Sequence, residues 1–401
     1  MSNHRKQFVK YGDFMTKKAV DTIDTDKYPH VNKGLDGIVA FSSSKSAIDG
    51  DKGELIYAGY NIDTLAENST FEEVAFLLWF DRLPTRKELD ELNDQLVAER
   101  HLPDTVVNYL KNTSKDAEPM SVLRTATSML GDFDEEAEIN EPEANFRKSI
   151  RMTAKMPAII AGFQRARDGK EVLAPLKEGS TAYDFLYMLN GERPGEKAEK
   201  VMDICLIIHA EHGMNASTFV SRAVCSTQSD IYSAITGAIG SLKGPLHGGA
   251  NAAVMNMLLQ LDDDADVEAY IKEQLAERKK IMGFGHRVYR TIDPRAKHLQ
   301  KMAKELAEET DMMTLYNWSE QIQSVMKNEK GIDPNVDFFS ATVYYSMGIK
   351  TDLFTCIFAM SRVTGWTAHF LEQAGNNRLI RPRQLYTGKK NLPWVPIEER
   401  S

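Results

Sequence analysis

The sequence predicts an almost wholly α-helical protein with one small β element near its N-terminus. Three observations carry that prediction. Capping boxes stand ahead of helical stripes, strand patterning is confined to residues 37–60, and no strand–helix alternation follows to build a parallel sheet. In chain order, short apolar runs at 38–41 and 55–57 flank Asp49-Gly50-Asp51-Lys52-Gly53, a hairpin-like turn. Thr70 and Glu73 then form a capping box, and Val74, Leu77 and Leu78 fall on one helical face. Thr85 and Glu88 repeat the box ahead of the stripe Leu89, Leu92 and Leu96. The acidic stretch 132–143 reads as a solvated loop or helix face. Further helices are expected near 145–167, 182–190, 197–212, 229–241 and 249–260. Acidic residues at 262–266 favour the start of another, with Val267, Tyr270, Ile271 and Leu275 on its face. The last helices are expected near 296–309, 318–328, 337–347 and 352–374.

Composition narrows the function classes. Of 401 residues, 42% are apolar and 27% charged, enough for a large core and two or three domain-sized units. No repeat of 20–50 residues appears, which argues against a solenoid. With 49 basic against 58 acidic side chains, the net charge of −9 argues against general nucleic-acid or anionic-membrane binding. Cys205, Cys225 and Cys356 are widely spaced in apolar settings and fit buried thiols in a reducing compartment. The N-terminus is polar, with no apolar run of the secretory kind, and the longest apolar stretch, near 354–360, is far too short to span a bilayer. A cytoplasmic protein is expected.

Four segments concentrate chemistry. The first, His209-Ala210-Glu211-His212-Gly213-Met214-Asn215-Ala216-Ser217-Thr218, closes a helix. Two histidines at i, i+3 would share a face and suit a metal, but nothing nearby completes a ligand set. His209 reads better as a core histidine, while His212 lies at the helix end among polar residues. The second, Gly244-Pro245-Leu246-His247-Gly248-Gly249-Ala250-Asn251, is a tight loop opening a helix. Free amides near the ring would keep His247 neutral, able to donate to a developing oxyanion, unless it is a turn histidine packed for shape.

The third segment runs from Ile281 through Gly283-Phe284-Gly285-His286-Arg287 to Arg290, Asp293 and Arg295. It lacks the third glycine and the preceding strand of a dinucleotide fingerprint. Its clustered arginines suit phosphate or carboxylate, which guanidinium grips bidentately; the plain alternative is a solvated basic loop. In the fourth, Pro334-Asn335-Val336-Asp337-Phe338-Phe339-Ser340, a carboxylate before two phenylalanines is either a desolvated base or a helix N-cap. Arg362 lies within an apolar helix, and Arg378, Arg381 and Arg383 surround Pro382. Three histidines, a carboxylate and several arginines suit enolisation beside a carbonyl and carbon–carbon bond formation on a carboxylated substrate.

The order and wording of these segments resemble the citrate synthase family. EHGMNAST, GPLHGGAN, GFGHRVY with DPRAKHL, PNVDFFSA, and FAMSRVTGW with NNRLIRPR occur in that family's order, and the likeness runs from near Gly34 almost to the C-terminus. The resemblance, to short bacterial-type members, implies a dimeric two-domain helical fold that closes over substrate. The large domain would be 1–217 with 327–401, and the small one 218–326. It implies that Asp337 takes a proton from the acetyl-CoA methyl group, His247 binds the thioester oxygen, and His286 polarises the oxaloacetate carbonyl. His212, Arg295, Arg362 and Arg381 would hold oxaloacetate, with Arg381 serving the partner's site. Ile281, Met282, Gly283, Phe284, Gly285, Arg287 and Arg290 would lie along CoA. No metal or resident cofactor is implied, since acetyl-CoA is a substrate. Gly213 stands where many of the family carry an acid. A 2-methylcitrate synthase shares every motif and accepts propionyl-CoA; a metal-dependent hydrolase or a non-enzymatic helical interaction protein are more distant alternatives.

Overall fold

The computed structural model describes residues 31–400 apart from Asp36, Asp263 and Arg287. Residues 31–42 and 381–400 make one compact unit, and Ser43–Ile380 the other. The first holds two short 3-10 turns, Lys33–Leu35 and Ile397–Glu399, and exposes Tyr386, Leu392 and Trp394.

The second unit opens with β1 (Ser46–Asp49), β2 (Glu54–Tyr57) and β3 (Tyr60–Asn61), an antiparallel sheet in that order. Ser46 pairs Tyr57 and Asp49 pairs Glu54, so the turn falls where the sequence places it. The run at 38–41, expected as a strand, is not one, and Val39 is 91% exposed. A hairpin closing at 50–53 pairs the residues next to the turn, which are 46–49; the earlier apolar run lies out of register reach.

Sixteen α-helices follow among the described residues. The first eight are α1 (Ile62–Asn68), α2 (Phe71–Phe80), α3 (Arg86–Glu99), α4 (Asp104–Asn112), α5 (Pro119–Gly131), α6 (Pro142–Arg167), α7 (Thr181–Asn190) and α8 (Glu196–His209). The rest are α9 (Ala216–Cys225), α10 (Ile231–Leu242), α11 (Ala250–Leu258), α12 (Val267–Ala276), α13 (Pro294–Glu309), α14 (Met313–Lys330), α15 (Val336–Ser346) and α16 (Phe354–Gly375). Both predicted capping boxes form, at Thr70–Glu73 and Thr85–Glu88. The sequence reading missed α1, α4, α5 and α9; Pro119 behind the Glu118 cap and Asn215 as a cap were the available signals.

The predicted helix over 197–212 stops at His209. Beyond it the Tyr57 hydroxyl contacts the Ile208 carbonyl and the Glu211 backbone, and Gly213 takes φ +61°, so His209 and His212 share no helical face. The acidic stretch is a loop up to the start of α6, and most of its acids are exposed as expected; Asp134 and Glu136 are the exceptions. Arg151 pairs with Asp134 and Glu136, Arg147 with Glu136, and Tyr232 donates to Asp134.

Helix α16 is buried along most of its length and packs against α2, α6, α8, α9 and α10. A second group joins α11, α13, α14 and α15. All three cysteines are buried and unpaired.

Candidate active site

The loop before α11 is tight because Gly248 leaves no room for a side chain: a Cβ there would come within 2.5 Å of the Leu242 carbonyl. His247 is thereby held with Nε2 beside α9, 2.8 Å from Ser217 Oγ and 3.3 Å from the Ser217 amide. That amide, in the first turn of α9, can only donate. Nε2 therefore accepts, and the proton sits on Nδ1. Burial, then the Arg362 charge, pulls the ring down to about 4, so it is neutral. The sequence expected amides of the following helix here; the amide the ring meets belongs to α9 instead.

His286 is fixed in the opposite sense. Its Nδ1 accepts the Val288 amide at 3.0 Å and the Tyr289 amide at 3.3 Å, which leaves the proton on Nε2. Burial and then Arg295 lower it to about 4. Its ring lies 5.1 Å from His212 and 4.7 Å from Tyr289. His212 Nε2 lies 3.2 Å from the Tyr289 hydroxyl, and burial, Arg295 and His286 hold it well below the usual imidazole range. His209 is a core residue whose Nδ1–H donates to the Cys205 carbonyl at 2.8 Å; burial lowers it to about 3.

Asp337 is not the N-cap of α15. Asn335 is, accepting the Asp337 amide at 3.0 Å, which frees the Asp337 carboxyl for other work. Its Oδ1 is buried without a hydrogen-bond partner. Burial lifts the group to about 6; the charges of Arg295 and Arg362 pull against that rise, and Asp293 adds to it.

Two arginines supply the cations. Arg295 is buried and bidentate to Asp293, at 2.9 and 2.7 Å; burial alone would raise that carboxyl, but the guanidinium holds it below its usual range. Arg362, on α16, donates Nε–H to the His209 carbonyl at 2.6 Å, stacks on Phe358, and leaves Nη2 buried without a partner. Burial lowers it to about 10, so it stays charged. It lies within electrostatic reach of Asp337, His247 and His212. A buried guanidinium nitrogen without a partner suits an anionic, hydrogen-bonding ligand, and the unpartnered Asp337 oxygen within its electrostatic reach is free to take a proton.

The glycine loop is strapped to the start of α15. Asn335 donates its amide to Gly283 O at 2.9 Å and its side-chain Nδ2 to Gly285 O at 2.9 Å. Gly283 has φ +81°, and a Cβ there would press on Phe338 and Val254 at 2.8 Å. Ile281 and Phe284 are buried, and Phe284 packs on Phe338 at 4.5 Å. Met282 and Gly285 are half-buried. Arg290 is exposed and paired with Asp51 at 3.3 Å; Arg287 lies outside the described residues. Arg381 is exposed and belongs to the other compact unit. The sequence reading missed Ser217 and Tyr289 as partners of His247 and His212, although both sit inside the motifs it singled out.

The family model "Citrate synthase, C-terminal domain" matches residues 34–383. Citrate synthase 2 of Bacillus subtilis is 51% identical over 370 residues, 92% of this chain and 99% of that protein. The chain belongs to the citrate synthase family. 2-Methylcitrate synthase 1 of Corynebacterium glutamicum is 40% identical, over 92% of this chain and 99% of its own. Citrate synthase of Thermoplasma acidophilum, solved as a ternary complex of carboxymethyl coenzyme A and oxaloacetate, superposes with a TM-score of 0.88 at 33% identity. That likeness covers 92% of this chain and 99% of that one. The helical fold read from the sequence is thus a citrate synthase fold, and no helix among the described residues is long and apolar enough to cross a membrane.

Proposed function

We propose that this chain condenses acetyl-CoA with oxaloacetate and water to give citrate and CoA, the entry step of the tricarboxylic acid cycle. Asp337 takes a methyl proton while His247 Nδ1–H donates to the thioester oxygen, giving an enol. The enol carbon attacks the oxaloacetate ketone, whose oxygen is polarised by His286 Nε2–H and ends as the hydroxyl of citryl-CoA. Water then cleaves the thioester, releasing CoA thiol and citrate. His212, Arg295, Arg362 and Arg381 hold the oxaloacetate carboxylates, with the 281–285 loop, Arg287 and Arg290 along CoA. The chain works in the cytoplasm as a homodimer, Arg381 crossing to the partner's site and the 218–326 segment closing over substrate.

One observation supports this reading best. A carboxyl poised at about 6 with a free oxygen feels the same two buried arginines, Arg362 and Arg295, as two neutral imidazoles, each left one N–H to donate. Enolisation near pH 7 needs a base and neutral donors of that kind. The test is thiol release with oxaloacetate and either acetyl-CoA or propionyl-CoA. We expect kcat/KM to favour acetyl-CoA by about 10–200-fold, the worth of one methylene in a fitted pocket. Equal or reversed preference would move the chain to the 2-methylcitrate reading, and no release from either would end the proposal.

A further inference from the structure

We infer that Glu211 is a positioning residue of the oxaloacetate pocket, a buried carboxylate that anchors the peptides on both sides of His212. The inference rests on the reading of His212 given above. Glu211 follows the end of α8 and is fully buried. Its Oε1 accepts three hydrogen bonds: from Ser46 Oγ at 2.9 Å, the Gly213 amide at 2.6 Å and His369 Nε2 at 3.0 Å. The Tyr57 hydroxyl accepts the Glu211 amide at 3.2 Å and donates to the Glu211 carbonyl at 2.7 Å. The peptide entering His212 is thus held through the Glu211 carbonyl, and the one leaving it through the Gly213 amide. Only the imidazole is left to meet a ligand.

The anchor is itself anchored. Arg222 Nη1 lies 3.2 Å from His369 Nδ1 and, because a guanidinium only donates, turns the His369 Nε2–H toward Glu211. Arg222 also binds Glu372 at 2.6 Å, and Glu372 accepts the Ser44 amide at 2.8 Å. The chain of contacts returns to the start of the sheet, two residues before Ser46, and so ties α9, α16 and β1 to one carboxylate. Glu211 lies flat on α16: a Cβ at Gly365 would come within 2.5 Å of its Oε2, three residues from Arg362. The same acid is the strongest attractive charge on Arg362. A group that only stiffened the fold would have no reason to bracket His212 and to balance Arg362 at once.

The experiment is a double-mutant cycle on oxaloacetate binding, read by calorimetry without acyl-CoA and by steady-state kinetics. Glu211→Ala should raise the oxaloacetate Kd by about tenfold or more, a coupling normal for residues in one network. The KM for acetyl-CoA at saturating oxaloacetate should hold within about twofold, since Glu211 acts through His212 and Arg362, both assigned to oxaloacetate. Glu211→Gln, which keeps an oxygen for Ser46 and Gly213, should recover most of the loss. In a His212→Ala background, Glu211→Ala should cost clearly less than it does in the wild type, leaving only the part that runs through Arg362. If Glu211→Ala does not fold, Ser46→Ala runs the same cycle with a smaller factor. Losses that add in the double variant, or that strike both substrates alike, overturn the inference. Wild-type protein that binds no oxaloacetate would instead overturn the reading of the site.

Discussion

Asp337 at the start of α15 and Glu211 beyond α8 both lie within electrostatic reach of Arg362, yet the protein treats them oppositely. Burial would raise both. At Glu211 the His369 ring, Arg362 and the Ser46 hydroxyl outweigh it and hold the carboxyl below its usual range. Each acid has one buried oxygen without a partner, Glu211 Oε2 and Asp337 Oδ1. But Glu211 Oε1 takes three hydrogen bonds while the Asp337 carboxyl takes none among the described residues, so there burial wins and the group rises to about 6. The supply of donors, not depth, decides which acid is a fixed charge and which can take a proton. Asp203 sharpens the lesson from outside the site. Burial and the neighbouring Glu72 raise it, while its Oδ1 is spent on the Phe71 amide at 2.9 Å. A raised carboxyl is therefore a candidate base only where its oxygen is free to meet substrate.

The largest effect expected from breaking this contrast is at Asp337. Asp337→Asn keeps the shape and removes the base, so kcat should fall by about 10²–10⁴-fold while oxaloacetate still binds. Near-normal turnover would take Asp337 out of the mechanism.

The smallest effect concerns Asp203, where activity should hold and stability should move. Its folded carboxyl is raised, so the stability it contributes is complete at low pH and lost as pH climbs above the usual carboxylate value. Asp203→Asn, which stays neutral and keeps an acceptor for Phe71, should raise Tm at pH 8 by a few degrees, on the order of 2–4 °C per kcal/mol regained. At pH 5 the gain should shrink. A larger gain at pH 5 than at pH 8 would reverse the assignment.

Much of this was legible in the sequence, and the gaps are instructive. The capping boxes at Thr70 and Thr85 and the long stripes placed helices well, because those signals are local. Helix α9 was hidden because its residues, Ala216-Ser217-Thr218, read as site chemistry rather than as a helix start. The three histidines and Asp337 stood out by motif. Which ring nitrogen carries the proton did not, because that depends on which amides fold against the ring: Ser217 on His247, and Val288 with Tyr289 on His286. Glu211 was passed over for the same reason. Its donors come from Ser46 and His369, 165 and 158 residues away, and no local pattern brings them together.

The most direct test of the contrast is the pH dependence of kcat/KM for acetyl-CoA between pH 4.5 and 8. His247 and His286 sit at about 4 and Glu211 below its usual range, so Asp337 is the one group of these four that titrates in the window. Its base form exists above about pH 6. Activity should therefore be level above that pH and fall tenfold per unit below it, along a single-proton limb centred near 6. A profile that stays flat down to pH 5, or falls with two protons, would contradict the account.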